Sequence, residues 1–98
     1  MSVKILKLVN NEIIIAEVED DIASLLEPGK VIFIKTPLRM VIKEEGIAFV
    51  LWVPCDMSQP TALRSEHIYF AAEAAEELAN EYRSKFGGIV KAPAGLIV

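Results

Sequence analysis

The stretch VKILKLVNNEIIIAEVE, residues 3–19, decides the fold. Its two halves, 3–9 and 12–19, are rich in β-branched and long apolar residues. Asn10 and Asn11 between them belong to the residue type that tolerates positive φ in a tight turn. The pattern predicts a β-hairpin, and the rest of the chain can be read outward from it.

Residues 20–30, DDIASLLEPGK, read as a polar-ended loop or short helical turn closed by Pro28 and Gly29. VIFIKTPLRMVIK (31–43) follows as one long strand, in which Pro37 lacks an N–H and so marks a bend, a bulge or an edge position. EEG turns the chain into IAFVLWV (47–53), and PCDMSQPTALRS leads to EHIYFA (66–71). The expectation is five strands in consecutive antiparallel order. In 98 residues that makes a mainly β protein, a strongly bent sheet or small open barrel. IAFVLWV is apolar on both faces, which predicts cover on both sides.

From about Ala71 to Phe86 the period changes. Ala71, Ala74, Ala75, Leu78, Ala79, Tyr82 and Phe86 recur at helical spacing, opposite Glu73, Glu76, Glu77, Asn80 and Glu81. Arg83 and Lys85 suit the C-terminal end of a helix dipole, and Gly87 with Gly88 predicts the stop. The organisation expected is therefore a single domain over 1–98, with a barrel over about 3–70, a C-terminal helix over about 71–86 and an apolar tail over 87–98.

Composition narrows the function. The formal charge is −4, so a global basic footprint for phosphates is absent, and any nucleic-acid site must be local with acidic groups segregated elsewhere. More than half the residues are apolar, which points to self-association. No apolar run reaches the roughly 18 residues of a membrane span, so no membrane partner is expected. The N-terminus lacks the pattern of a secretory signal, and a cytoplasmic location follows as the expectation. Cys55 is the only cysteine, which rules out an internal disulfide and a thiol zinc cage.

Tests for chemistry are mostly negative. His67 has Ser65 two residues away, on one face if the segment is a strand. No acidic orienter is fixed, however, and no glycine-rich elbow presents the serine, so no catalytic residue is assigned. One histidine among scattered carboxylates lacks zinc-ligand spacing, EPGK is too short for a phosphate loop, and no metal or cofactor is expected. The reading is not an enzyme. Arg64 differs in kind, because a loop arginine can pair bidentately with phosphate or stack on an unpaired base, although a surface ion pair also explains one. In an up-and-down order the loops after the second and fourth strands share one end. That brings Asp20, Asp21, Ser24 and Lys30 near Gln59, Arg64, Ser65 and His67.

LRSEHIYF, residues 63–70, together with this strand order resembles the second motif of the Sm and Sm-like proteins: apolar, Arg, Gly, two polar residues, then an apolar final strand. Leu63 and Arg64 match the apolar–Arg pair, Ser65 stands at the glycine, Glu66 and His67 at the polar pair. DDIAS looks like the Asp-rich turn of the first motif, with Asp20 at its aspartate, Ile22 in place of the base-stacking aromatic and Ser24 in place of the asparagine. The helix after the barrel is similar to the small Sm-like proteins associated with marine cyanophages. The resemblance spans about residues 3–70. It implies a homo-oligomeric ring that holds single-stranded RNA, or DNA, through the two same-end loops. Arg64 would stack or bind phosphate, Ser65 and Ser24 would hydrogen-bond, His67 would stack or donate, and Lys30 would add positive charge. The rival expectation is an oligomeric structural or protein-interaction module that meets its partner through the acidic helix face at Glu76 and Glu77.

Overall fold

A computed structural model describes residues 2–52 and 56–91, with the side chains of the final helix as far as Lys85. The chain forms β1 (Ser2–Leu8), β2 (Ile13–Val18), α1 (Ile22–Leu25), β3 (Val31–Lys43), β4 (Gly46–Leu51), β5 (Thr61–Arg64), a 3-10 turn (Ser65–His67), β6 (Ile68–Glu73) and α2 (Glu76–Lys91). It is a mainly β, antiparallel open sheet with one C-terminal helix. The sheet is not closed into a barrel.

The hairpin forms where the sequence places it. Asn11 takes φ 74, its N–H reaches the Leu8 carbonyl at 2.9 Å, and the Asn10 side chain accepts the Glu12 N–H at 3.0 Å. β1 and β2 then pair from Ser2 opposite Val18 to Lys7 opposite Ile13. Even-numbered residues Leu6, Leu8, Ile14, Ala16 and Val18 enter an inner core together with Leu25, Ile32, Ile34, Leu63 and Ile68. Lys4 shares that parity and is buried. Its ammonium is paired with the Val18 carbonyl at 3.3 Å and the Glu73 carboxylate at 3.5 Å.

Pro37 marks a bulge. Ile15 lies opposite Leu38 and Glu17 opposite Lys35, so one β2 residue faces two on β3, Thr36 and Pro37. Thr36 sits at φ 47, a left-handed value uncommon for a β-branched residue. The extra residue changes the parity of β3. Ile32 and Ile34 point into the inner core, whereas Leu38 and Met40 point to the outer face and meet Val3, Ile15, Ala79 and Tyr82. One strand therefore serves two cores, and α2 covers the second. The Tyr82 hydroxyl donates to the Thr36 carbonyl at 2.6 Å, lies 3.3 Å from that of Lys35, and pairs with the Thr36 hydroxyl.

Four expectations need correction. The last strand does not pair with the strand before it: the order is β4-β3-β2-β1-β6, with β5 alongside β3. β5 itself falls in the segment read as a connection. It pairs with the first half of β3 while β4 pairs with the second half, so the two lie along the same side of β3. β4 is not covered on both sides in the single chain, because it is an edge strand, and Leu51 is 65% exposed.

The helix also differs from its expected limits. Residues 71–73 complete β6, because β1 offers an edge that pairs Leu6 with Ala71 and Lys4 with Glu73, and tertiary pairing overrides alanine's helical propensity. At the other end α2 continues through Gly87 and Gly88 to Lys91. Glycine permits a left-handed stop without forcing one, whereas Pro93 in the sequence is a firm breaker. Cys55 and the end of the tail, 92–98, lie outside the described residues. Among the described residues no helix is long and apolar enough to cross a membrane.

Candidate functional site

The six residues singled out from sequence lie along one seam, where the α1–β3 loop, the 3-10 turn and the β1–β2 hairpin meet. Asp21 caps α1, its carboxylate accepting the Ser24 N–H at 2.8 Å, a bond that holds the Asp21 carboxyl below the usual carboxylate range. Four residues after Leu25, the last of α1, Gly29 at φ 77 turns the chain into β3, a left-handed value that suits glycine. The loop therefore presents the Gly29 and Lys30 amides to the 3-10 turn.

The turn takes both. Glu66 Oε2 accepts the Gly29 N–H at 2.6 Å, and Ser65 Oγ accepts the Lys30 N–H at 3.1 Å. The Ser65 N–H returns to the Lys30 carbonyl at 2.9 Å, and the His67 carbonyl accepts the Val9 N–H at 2.9 Å. Four bonds thus tie β5–β6 to two other loops, and the curled sheet is stapled at this seam. Backbone N–H donors, its own and that of Gly29, lower the Glu66 pKa, with Arg64 and His67 adding positive charge nearby.

Ser65 is buried and His67 exposed, so the pair does not share a strand face as the sequence spacing predicts: the 3-10 turn rotates them apart. Ser65 orders the turn instead of facing solvent. Lys30 is drawn to Asp20 at 3.4 Å and Glu27 at 3.8 Å, which accounts for the placement of Asp20 beside it. Ser24 is half-buried in α1, and α1 packs against β6. Gln59 is not part of the seam. It precedes the far end of β5, since Thr61 pairs with Ile34 and Arg64 with Val31.

Arg64 is exposed at the last position of β5, and among the described residues it has no carboxylate within ion-pair distance. Acidic groups are not segregated from this end, contrary to expectation. Asp20, Asp21, Glu27 and Glu66 all lie on it, although each is engaged by Lys30, by the start of α1 or by Gly29. Sequence reasoning placed Glu66 as one of two polar residues before a strand. It missed its role as a staple, because the partner amide is 37 positions away and carries no side chain to signal the bond.

A second concavity lies between the Asn10–Ile13 turn and Arg39–Ile42 of β3. Its carboxylate, Glu12, accepts the Trp52 indole N–H at 2.9 Å and the Asn10 amide at 3.0 Å, and those bonds, Trp52 foremost, lower its pKa. Glu12 thereby fixes Trp52 against the inner core. Among the described residues no group of three or more His, Cys, Asp or Glu side chains stands together as a metal site. No protein-family model matches the chain, and no curated protein matches it significantly.

Proposed function

We propose that this chain is an Sm-like, ring-forming protein that binds single-stranded RNA or DNA at the stapled seam, in a role in nucleic-acid processing and without catalysing a reaction. The observation that carries the reading is Arg64, an exposed cation with no ion-pair partner among the described residues, on a turn held rigid by four hydrogen bonds. With the backbone of the turn held, only the arginine side chain has to be ordered when it stacks on a base or pairs with a phosphate. His67 stands exposed beside it. Lys30, neutralised by Asp20 and Glu27, contributes little charge to this reading, while Ser65, Ser24 and Asp20 support the loop backbone.

Ring formation draws support from the sheet itself, whose two edges, β4 with β5 at one side and β6 at the other, have no further strand paired to them among the described residues. Repetition around a ring multiplies one weak contact per copy into avidity for a flexible strand. A second reading, a protein-interaction module, is favoured by the carboxylates on the seam and by the exposed Glu76, Glu77 and Glu81 of α2.

Fluorescence anisotropy with single-stranded RNA and DNA oligonucleotides tests the proposal. Binding should weaken steeply with salt, and Arg64→Ala should cost about 1–3 kcal/mol per site. No binding to any oligonucleotide at low salt would sink it. In the protein-interaction reading, Arg64→Ala leaves partner capture intact and charge reversal at Glu76 and Glu77 abolishes it.

A further inference from the structure

The outer face of the sheet is not uniformly covered. α2 lies over Val3, Ile15, Leu38 and Met40, and its Tyr82 meets the bulge at Thr36. Beyond the bulge, Val31 and Phe33 of β3 and Ala62 and Arg64 of β5 stand exposed on the outer face. Strand alternation sends Ile32, Ile34 and Leu63 inward, and Val31, Phe33, Lys35, Ala62 and Arg64 outward.

Phe33 is the conspicuous member of that face. It is 58% exposed, where a phenyl ring of this size is ordinarily kept from water. Its cross-strand neighbour is Ala62, too small to shield the ring, and β2 pairing has ended at Val18 opposite Ile34. Arg64, opposite Val31, stands diagonally on one side of Phe33, and Lys35 stands on the other along β3. The two cations are four strand positions apart, about 13 Å, with the aromatic ring between them. Carboxylates border the face as well: Glu17 is opposite Lys35, the exposed Glu19 follows Val18 at the end of β2 on the Phe33 side, and Glu66 is beside Arg64 and bonded to Gly29.

We infer that Phe33 is a base-stacking platform for single-stranded nucleic acid, bracketed by Arg64 and Lys35 as phosphate or base contacts. The inference rests on the proposed function and extends that site from the turn onto the open face of β3 and β5. Every nucleobase has a π face, so an exposed ring flanked by cations accepts a strand without regard to sequence. A second copy presenting an apolar patch is the less suitable occupant, because covering Phe33 would also desolvate Arg64 and Lys35.

The test uses the full chain, fluorescent single-stranded RNA and DNA oligonucleotides, and light scattering on each variant. Phe33→Ala should weaken binding about tenfold or more with an unchanged slope of log affinity against log salt, because no counterion contact is lost. Phe33→Tyr should restore it. Lys35→Gln should instead reduce the slope by roughly 0.7–0.9, one phosphate contact. Full affinity in Phe33→Ala together with loss in Arg64→Ala would overturn the platform and leave the proposed function standing. Absence of binding by the wild-type protein would overturn both. A changed assembly mass in Phe33→Ala would assign the ring to contact between copies and overturn the platform.

Discussion

Removing the Tyr82 hydroxyl leaves the carbonyls of Lys35 and Thr36 without that donor at the point where β3 changes parity. The side chain is 1% exposed, so water cannot replace the bond, and Tyr82→Phe should destabilise the fold by about 1–3 kcal/mol in urea denaturation. The same residue gives an alkaline signature. Burial raises the phenol from 10.0 to about 12, and a group with a raised folded-state pKa contributes fully below the unfolded value and loses that contribution as pH rises through the folded one. Wild-type stability should therefore fall between pH 10 and about 12, and Tyr82→Phe should lack that part of the fall. Glu66 behaves in the opposite sense. Its pKa is lowered, so its bond to Gly29 is complete above the ordinary 4.5 and is lost as pH falls below it. Glu66→Gln weakens the charge-assisted staple, and amide exchange at Gly29 should quicken in that variant.

Among the elements, the hairpin is the clearest case of local sequence dictating geometry. Asn11 at φ 74 occupies a conformation that costs an alanine about 1–2 kcal/mol, whereas glycine enters it freely. Asn11→Ala should lower thermal stability accordingly, and Asn11→Gly should stay within about 0.5 kcal/mol of wild type. What was legible in the sequence follows the same logic. Asn10–Asn11 announced a turn, and Pro37 an irregularity that the structure shows to be a bulge, because the cause lies in those residues themselves. The start of α2 was misread because AAEAA satisfies helical spacing, and only the distant edge of β1 shows that Ala71–Glu73 is a strand. The outward parity of Phe33 was hidden for a related reason. VIFI is apolar at every position, so no alternation reveals which residues face the core. Six of the candidate residues stand at one seam although Gln59 does not and the strand order differs from the one expected, and which of them stay free is set by bonds to backbone amides that side-chain patterns do not record.

At the scale of the molecule, the outstanding feature is a curled sheet whose two ends are both left open among the described residues. The β4 edge exposes Ile47, Val50 and Leu51, and the β6 edge exposes Tyr69 and Phe70, a poor arrangement for a lone subunit because unpaired apolar edges template aggregation. The edges differ in sequence, so in the proposed ring β4 of one copy would pair with β6 of the next, a heterologous contact that closes where its rotation permits. That geometry makes a specific prediction. Leu51→Lys spoils one edge and Phe70→Lys the other, and each variant alone should run as a single 10.8 kDa subunit by light scattering while retaining the wild-type circular dichroism. Mixed together they retain one intact β6 edge and one intact β4 edge, so a one-to-one dimer should form and grow no further. If the contact were instead between two β4 edges, Phe70→Lys would assemble normally by itself and mixing would add nothing. The mass of the mixture therefore separates head-to-tail from symmetric assembly, and with it a ring from a simple dimer.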